Sequence, residues 1–122
     1  MSSASIAIVD DDEAVREAMK TLVRSLGYNA STFGSADEFL NSEQVDDTSF
    51  LITDLHMPGL SGLDLQDRLI AKGHRIPIIF ITGFPDYPAR ARAMRAGALA
   101  FLTKPINQHD LIDHLETALK AA

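Results

Sequence analysis

The sequence alternates between two kinds of segment, and this alternation limits the possible folds more than any other feature. Short apolar runs rich in β-branched residues predict strands that are buried on both faces. Between them, apolar residues three and four positions apart predict amphipathic helices. Strands that are joined through helices run parallel, because a right-handed crossover returns the chain to the same end of the sheet. The predicted strands cover residues 5–9, 28–33, 50–53, 78–81 and 98–103.

Residues typical of helix ends support the same division. Gly27 ends the first predicted helix, and Ser35 with Glu38 fits a capping box that opens a short second helix. Pro88 can begin the fourth helix, which Gly97 ends. Five strand–helix units predict an α/β fold with a doubly wound parallel sheet. In such folds ligands bind beyond the carboxyl ends of the strands.

Composition fits one globular domain of 122 residues, of which 46% are hydrophobic and 23% charged. The apolar runs are too short to cross a bilayer and the N-terminus lacks the pattern of a signal peptide, so we expect a cytoplasmic protein without a membrane partner. The absence of cysteine excludes disulfides and cysteine–zinc sites. With 11 basic and 17 acidic residues, we expect no direct nucleic-acid binding.

Polar side chains follow four of the five predicted strands. They are Asp10 to Asp12 after the first strand, Asp54 after the third, Thr82 after the fourth and Lys104 after the fifth. Since the carboxyl ends of parallel strands share one edge of a sheet, we expect these side chains to meet. Clustered carboxylates repel one another and lose solvation, which predicts a bound cation. An incomplete set of protein oxygen ligands, completed by water, suits Mg²⁺ better than Ca²⁺.

Charge balance indicates what this cluster could accept. Asp10, Asp11 and Asp54 would carry three negative charges, which a divalent ion and Lys104 would neutralise. A nearly neutral site can admit a phosphoryl group, and Asp54 is the candidate nucleophile that would form an acyl phosphate. Lys104 would stabilise the phosphoryl oxygens, and the Thr82 hydroxyl can donate to one of them.

Each of these residues also has a purely structural interpretation. The acids after the first strand could stabilise the positive end of a helix dipole, Asp54 could belong to a turn, and Thr82 could be a strand-end hydroxyl. Lys104 before Pro105 could be an exposed lysine at a turn. Their combination at corresponding strand ends favours a functional site. Apart from the pair His109 and His114 on the last helix, the four histidines lack the spacing of zinc ligands. The usual nucleotide-binding and serine-hydrolase motifs do not occur.

Short motifs of one family extend over nearly the whole chain. They are Asp10-Asp11, Asp54 with Met57-Pro58-Gly59, Ser61-Gly62, Thr82-Gly83, Ala96-Gly97-Ala98 and Lys104-Pro105. Together they resemble a two-component response-regulator receiver domain, and the runs 50–54 and 93–98 are similar to its FixJ-like subfamily. The resemblance implies one receiver domain over 1–122, with a flavodoxin-like (βα)5 fold and a five-stranded parallel sheet in the order 2-1-3-4-5.

The same resemblance assigns roles to the acidic residues. It implies that Asp54 is the phosphoacceptor and that Asp11 and Asp54 bind Mg²⁺ directly. Asp10 is expected to act largely through water, and the backbone carbonyl of His56 is expected to be a further ligand. Mn²⁺ is the expected substitute for Mg²⁺.

The resemblance also assigns roles to residues at the ends of the fourth and fifth strands. The resemblance implies that Thr82 and Lys104 contact it, and that Phe101 is a switch aromatic that turns inward when Thr82 moves. It also implies a cis peptide bond before Pro105.

The resemblance implies a signalling switch that is not a turnover enzyme beyond Mg²⁺-dependent self-phosphorylation and autodephosphorylation. A sensor histidine kinase is the expected phosphoryl donor. The added charge is expected to alter the face formed by helix 4, strand 5 and helix 5, and so to control homodimerisation or a transcriptional output domain. A phosphorylation-independent interaction module with the same fold is the alternative. An aspartate-dependent phosphohydrolase is a third possibility, but it would normally have an acid at the position of His56.

Two surface features refine this expectation. Arg92 and Arg95 on helix 4 could pair with acids on helix 5 of a second copy, although a solvated face explains the same pattern. His56 and Phe84 stand two positions after Asp54 and Thr82, where they would border the path of water to an acyl phosphate. We therefore expect these two residues to influence its lifetime. The acids on helix 5 are Asp110, Asp113 and Glu116.

Overall fold

Five parallel strands form one sheet in the computed structural model, which describes residues 4–120. The strands are β1 (Ser5–Val9), β2 (Asn29–Phe33), β3 (Phe50–Asp54), β4 (Ile78–Thr82) and β5 (Ala100–Thr103). Their order in the sheet is β2-β1-β3-β4-β5, which confirms the predicted doubly wound α/β fold. Residues 1–3 and 121–122 of the predicted domain lie outside the described residues.

Five helices cover the two faces of the sheet. They are α1 (Glu13–Ser25), α2 (Ala36–Leu40), α3 (Gly62–Ala71), α4 (Tyr87–Arg95) and α5 (Gln108–Lys120), and a 3-10 turn covers Val45–Asp47. Within residues 4–120, none of the helices is long and apolar enough to cross a bilayer.

Side chains alternate across the sheet, so the strands contribute to two apolar layers. Ile8 and Ile52 belong to the layer that packs against α1 and α5. Val9 and Leu51 belong to the layer that packs against α2, α3 and α4. Every residue of β3 and β4 is buried, which explains why both strands are continuously apolar as far as Ile52 and Ile81.

Helix α2 begins close to the predicted residue, but its cap differs from a capping box. The Ser35 hydroxyl accepts a hydrogen bond from the Glu38 amide, as the motif requires. The Glu38 carboxylate accepts one from the amide of Gly34, at 2.9 Å. The return bond of a capping box would come from the Ser35 amide.

The end of α4 explains why β5 begins at Ala100 when the sequence predicted residue 98. The Ala98 amide donates to the carbonyl of Ala93 at 3.0 Å, which closes the helix. The buried side chain of Gln66 on α3 donates to the same carbonyl at 3.1 Å. Next to this contact, Asp67 on α3 accepts from Arg92 on α4. The C-terminal end of α4 is therefore fixed to α3 by a buried hydrogen bond and a surface ion pair.

Candidate functional site

Three carboxylates lie together at the carboxyl end of the sheet. β1 and β3 are neighbours with Val9 opposite Thr53, so their next residues, Asp10 and Asp54, are adjacent at this edge. Asp11 follows in the β1–α1 turn. One carboxylate oxygen from each of the three acids lies within 4.8 Å of the other two. Asp10 and Asp54 are buried, whereas Asp11 is exposed.

The side chain of Lys104 joins this cluster from the turn after β5. Its Nζ lies 3.3 Å from Oδ2 of Asp10 and 3.4 Å from Oδ2 of Asp54. The Lys104 amide donates to the carbonyl of Thr82 at 2.7 Å, which holds the backbone of the turn against the end of β4. The peptide bond between Lys104 and Pro105 is cis.

The electrostatics of the cluster suit a divalent cation. Burial raises the pKa of Asp10 above its ordinary value and the charge of Asp54 adds to this, against a hydrogen bond from the Asp12 amide and the nearby Lys104. Burial alone would lower the pKa of Lys104, but the charges of Asp10 and Asp54 outweigh it and raise that pKa. In their ionised forms the three acids exceed the one lysine by two negative charges. Converging carboxylate oxygens with this excess charge fit a hard ion such as Mg²⁺.

Thr82 is buried at the end of β4, and its hydroxyl is hydrogen-bonded to the backbone of the following turn. Oγ1 donates to the carbonyl of Phe84 at 3.1 Å and accepts from the amide of Phe84 at 3.2 Å. Donation to a phosphoryl oxygen would therefore require the bond to the Phe84 carbonyl to break. On the adjacent strand, Phe101 is half-buried, and its ring centroid lies 6.1 Å from that of Phe80.

The sequence profile of a single family, described as the response regulator receiver domain, matches residues 6–116. The chain belongs to this family. The receiver is 49% identical over 117 residues to the response regulator protein TmoT of Ectopseudomonas mendocina, an alignment that covers 96% of the receiver and 53% of TmoT. It is 37% identical over 117 residues to the transcriptional regulatory protein FixJ of Azorhizobium caulinodans, covering 96% of the receiver and 56% of FixJ.

A solved structure, that of the response regulator StyR, shares the fold of the receiver with a TM-score of 0.90 and 41% identity. The superposition covers 98% of the receiver and 61% of the StyR chain. The receiver thus spans about half the length of TmoT and FixJ. The predicted FixJ-like receiver domain of a two-component response regulator is confirmed.

His56 and Phe84 stand in the turns that follow β3 and β4. The His56 amide donates to Oδ1 of Asp54 at 3.4 Å, and Nε2 of its half-exposed ring is 3.7 Å from the Asp86 carboxylate. Phe84 is 74% exposed. Both side chains are therefore exposed to solvent, while the role of the His56 carbonyl as a ligand stays a prediction.

Sequence reasoning missed two residues around the site. Asp86 caps the N-terminus of α4 by accepting from the Ala89 amide at 3.0 Å, which an acid two positions before Pro88 could have indicated. Arg16 on α1 donates from Nη1 to the backbone carbonyl of Asp10 at 2.7 Å. No local motif marks a contact between a helix side chain and the end of the preceding strand.

The three acids after β1 do not share one role. Asp12 is the N-cap of α1, where its side chain accepts from the Ala14 amide at 2.9 Å. Asp10 and Asp11 belong to the carboxylate cluster with Asp54. A structural role at the N-terminus of α1 is thus shown directly for Asp12.

Proposed function

We propose that this receiver accepts a phosphoryl group from a sensor histidine kinase onto Asp54, assisted by Mg²⁺. The observation that carries the proposal is the position of the Asp54 carboxylate. It lies 3.4 Å from the Lys104 ammonium and forms, with Asp10 and Asp11, a group of acids that can hold a metal ion. A buried carboxylate in this setting can attack phosphorus, and the lysine and a bound metal ion would stabilise the negative charge of the product.

The residues of the site would divide the work as follows. One Asp54 oxygen attacks phosphorus, so that an O–P bond forms while the N–P bond of the donor phosphohistidine breaks. Asp10, Asp11, Asp54 and the His56 carbonyl would hold Mg²⁺, which would neutralise charge on the acids and on the phosphoryl oxygens. Mn²⁺ would serve in its place. Lys104 would move its ion pair from the carboxylates to the transferred group.

The signal would leave the site through Thr82. A phosphoryl group on Asp54 supplies new acceptor oxygens, for which the Thr82 hydroxyl would give up its bond to the Phe84 carbonyl. This exchange releases the β4–α4 turn, and Phe101 would turn further inward. The affected face consists of α4, β5 and α5. We propose that it controls homodimerisation or an output domain with a role in transcription.

The ion pair between Arg92 and Asp67 changes how a dimer could use this face. Arg92 was predicted to pair with α5 acids of a second copy, but within one chain it is already bound to Asp67. Arg95, in the last turn of α4, is exposed. It is therefore the better candidate to face the exposed acids Asp110 and Asp113 of a partner. Such exposed pairs would favour a weak dimer that is sensitive to salt.

Other expectations stay predictions. They are the extent of the domain over 1–122, the cytoplasmic location, and the absence of direct contact with nucleic acid or membrane.

The proposal is tested by phosphoryl transfer from acetyl phosphate, with and without Mg²⁺, followed by intact-protein mass spectrometry. We expect the wild type and Asp113→Asn, which changes an exposed acid on α5, to gain one phosphoryl group only when Mg²⁺ is present. Asp54→Asn should gain none. Equal labelling of Asp54→Asn and wild type would show that another residue is the acceptor. An unlabelled wild type would favour the phosphorylation-independent interaction module.

A further inference from the structure

The guanidinium of Arg16 completes the set of contacts that hold Asp10. The Asp10 amide donates to the carbonyl of Phe33 on β2 at 3.1 Å. Its carboxylate accepts from the Asp12 amide at 2.8 Å and lies next to Lys104. Its carbonyl accepts from Nη1 of Arg16 at 2.7 Å, the shortest of these distances. The amide, carboxylate and carbonyl of Asp10 are therefore all held at once.

The guanidinium of Arg16 lies beside Gly34 in the turn after β2. A Cβ atom at Gly34 would lie 3.6 Å from Nη1 of Arg16 and 3.4 Å from Oε2 of Glu38. The Glu38 carboxylate also accepts from the Gly34 amide at 2.9 Å. Arg16 thus lies where the end of β1, the first turns of α1 and the β2–α2 turn meet, and the Glu38 carboxylate lies beside the same glycine.

We propose that Arg16 is a positioning residue for the cation-binding acids. Asp10 and Asp11 repel each other and Asp54, and this repulsion favours opening of the turn that carries Asp10 and Asp11. The bond from Arg16 to the Asp10 carbonyl opposes that opening, because it ties the first residue of the turn to a rigid helix. A guanidinium can keep one donor on the carbonyl while its other donors face the Glu38 side. A lysine ammonium lacks this forked arrangement of donors.

Two roles of Arg16 predict opposite signs for its removal. If Arg16 acted only through its charge, neutralising it would make the acidic cluster more attractive to a cation, and Mg²⁺ would bind more tightly. If Arg16 positions the acids, its loss disperses the carboxylates and Mg²⁺ binds more weakly. Groups that orient metal ligands typically contribute about 10- to 100-fold to affinity, and we expect the lower end for a partly exposed site. This inference rests on the proposed cation-binding role of the cluster.

The experiment is a Mg²⁺ titration of the non-phosphorylated receiver, followed by the amide signals of residues 10–12 and 54 in two-dimensional NMR. We expect Arg16→Gln and Arg16→Lys each to weaken Mg²⁺ binding, Arg16→Gln by roughly tenfold. Arg24→Gln should leave the affinity within about twofold of wild type, since Arg24 is an exposed arginine at the far end of the same helix. Urea unfolding of each variant shows whether it is folded at the temperature of the titration.

The outcomes separate this inference from the proposed function. Equal or tighter binding by Arg16→Gln would overturn the positioning role and leave the cation site intact. Full retention of affinity by Arg16→Lys would overturn the role of the guanidinium, because lysine keeps the positive charge but not the forked arrangement of donors. This second variant also decides the question if Arg16→Gln fails to fold. A wild type that does not bind Mg²⁺ at millimolar concentration would overturn the cation site itself, and the role of Arg16 with it.

Discussion

The first residue of α3, Gly62, provides a sharp test of how the end of β3, which carries Asp54, is packed. Its amide donates to the carbonyl of Leu55 at 2.9 Å, so the helix begins directly against the end of β3. A Cβ atom at Gly62 would lie 2.5 Å from the Asp54 carbonyl oxygen, 3.1 Å from Cε1 of Phe80 and 3.2 Å from Cα of Leu55. Two of these three atoms belong to the backbone, which cannot rotate out of the way. Gly62→Ala must therefore move either α3 or the end of β3.

Two opposing terms set the size of the effect. Forcing extra volume into a packed interior costs about 1–3 kcal/mol. Replacing glycine by alanine in a helix ordinarily gains up to about 1 kcal/mol, and less at a first position. We therefore expect Gly62→Ala to lower the free energy of unfolding by about 1–2 kcal/mol, although helix propensity alone predicts a rise.

Urea unfolding followed by far-ultraviolet circular dichroism measures this change. The matched control is Gly83→Ala, in the turn after β4. Gly83 does not have a positive φ, and a Cβ there meets nothing within 4 Å, so its substitution should change the free energy of unfolding by less than about 0.5 kcal/mol. If Gly62→Ala proved as stable as wild type, the close approach of α3 to the Asp54 carbonyl would have no effect on the free energy of unfolding, and the reasoning from packing would be refuted.

Three more predictions concern a helix cap, a buried hydrogen bond and the site entrance. Ser61→Ala should cost about 1 kcal/mol, because the Ser61 hydroxyl caps α3 in a capping box with Asp64. Hydrogen bonds from Ser61 lower the pKa of Asp64, so the stabilising effect of its carboxylate is present above the ordinary value of 3.8 and is lost as the pH falls through the lower folded-state pKa. The difference in unfolding free energy between wild type and Asp64→Asn should accordingly shrink when the pH is lowered below 3.8; a difference that grew there would contradict this assignment. Gln66→Leu should lower the unfolding free energy by about 1 kcal/mol, since the Ala93 carbonyl keeps its bond from Ala98, and urea unfolding would contradict this if the variant were more stable. His56→Asn and Phe84→Ala should each change the rate at which phosphorylated receiver loses phosphate, measured by phosphoprotein gel after donor removal, and unchanged rates would exclude them as determinants of lifetime.

The fold was predictable from the sequence where burial is complete on both sides. β3 and β4 lie between two helical layers, so all their residues are buried and the apolar runs have sharp ends. The acidic cluster was predictable for a related reason. Parallel strands place their carboxyl ends along one edge, and Asp10 and Asp54 terminate neighbouring strands.

Contacts that depend on the rotation of a helix were not predictable. Arg92 faces Asp67 on α3, although its spacing along α4 suits a partner in another chain equally well. Arg16 reaches back to Asp10 across the β1–α1 turn, and its identity alone does not separate this contact from an exposed position. The predicted beginning of β5 was two residues too early, because the Ala98 amide bonds to the end of α4 and does not join the sheet.

The attachment of α4 to α3 at one end has a geometric consequence. The Ala93 carbonyl accepts from both Gln66 and Ala98, so a rotation of the nine-residue helix α4 would be centred near Ala93. At about 1.5 Å per residue Tyr87, at the opposite end, is roughly 9 Å from Ala93, and a displacement of about 1 Å there corresponds to a rotation of about 6°. A partner that contacts Tyr87 would experience nearly the full displacement, while one that contacts the end of α4 near Arg95 would experience little of it.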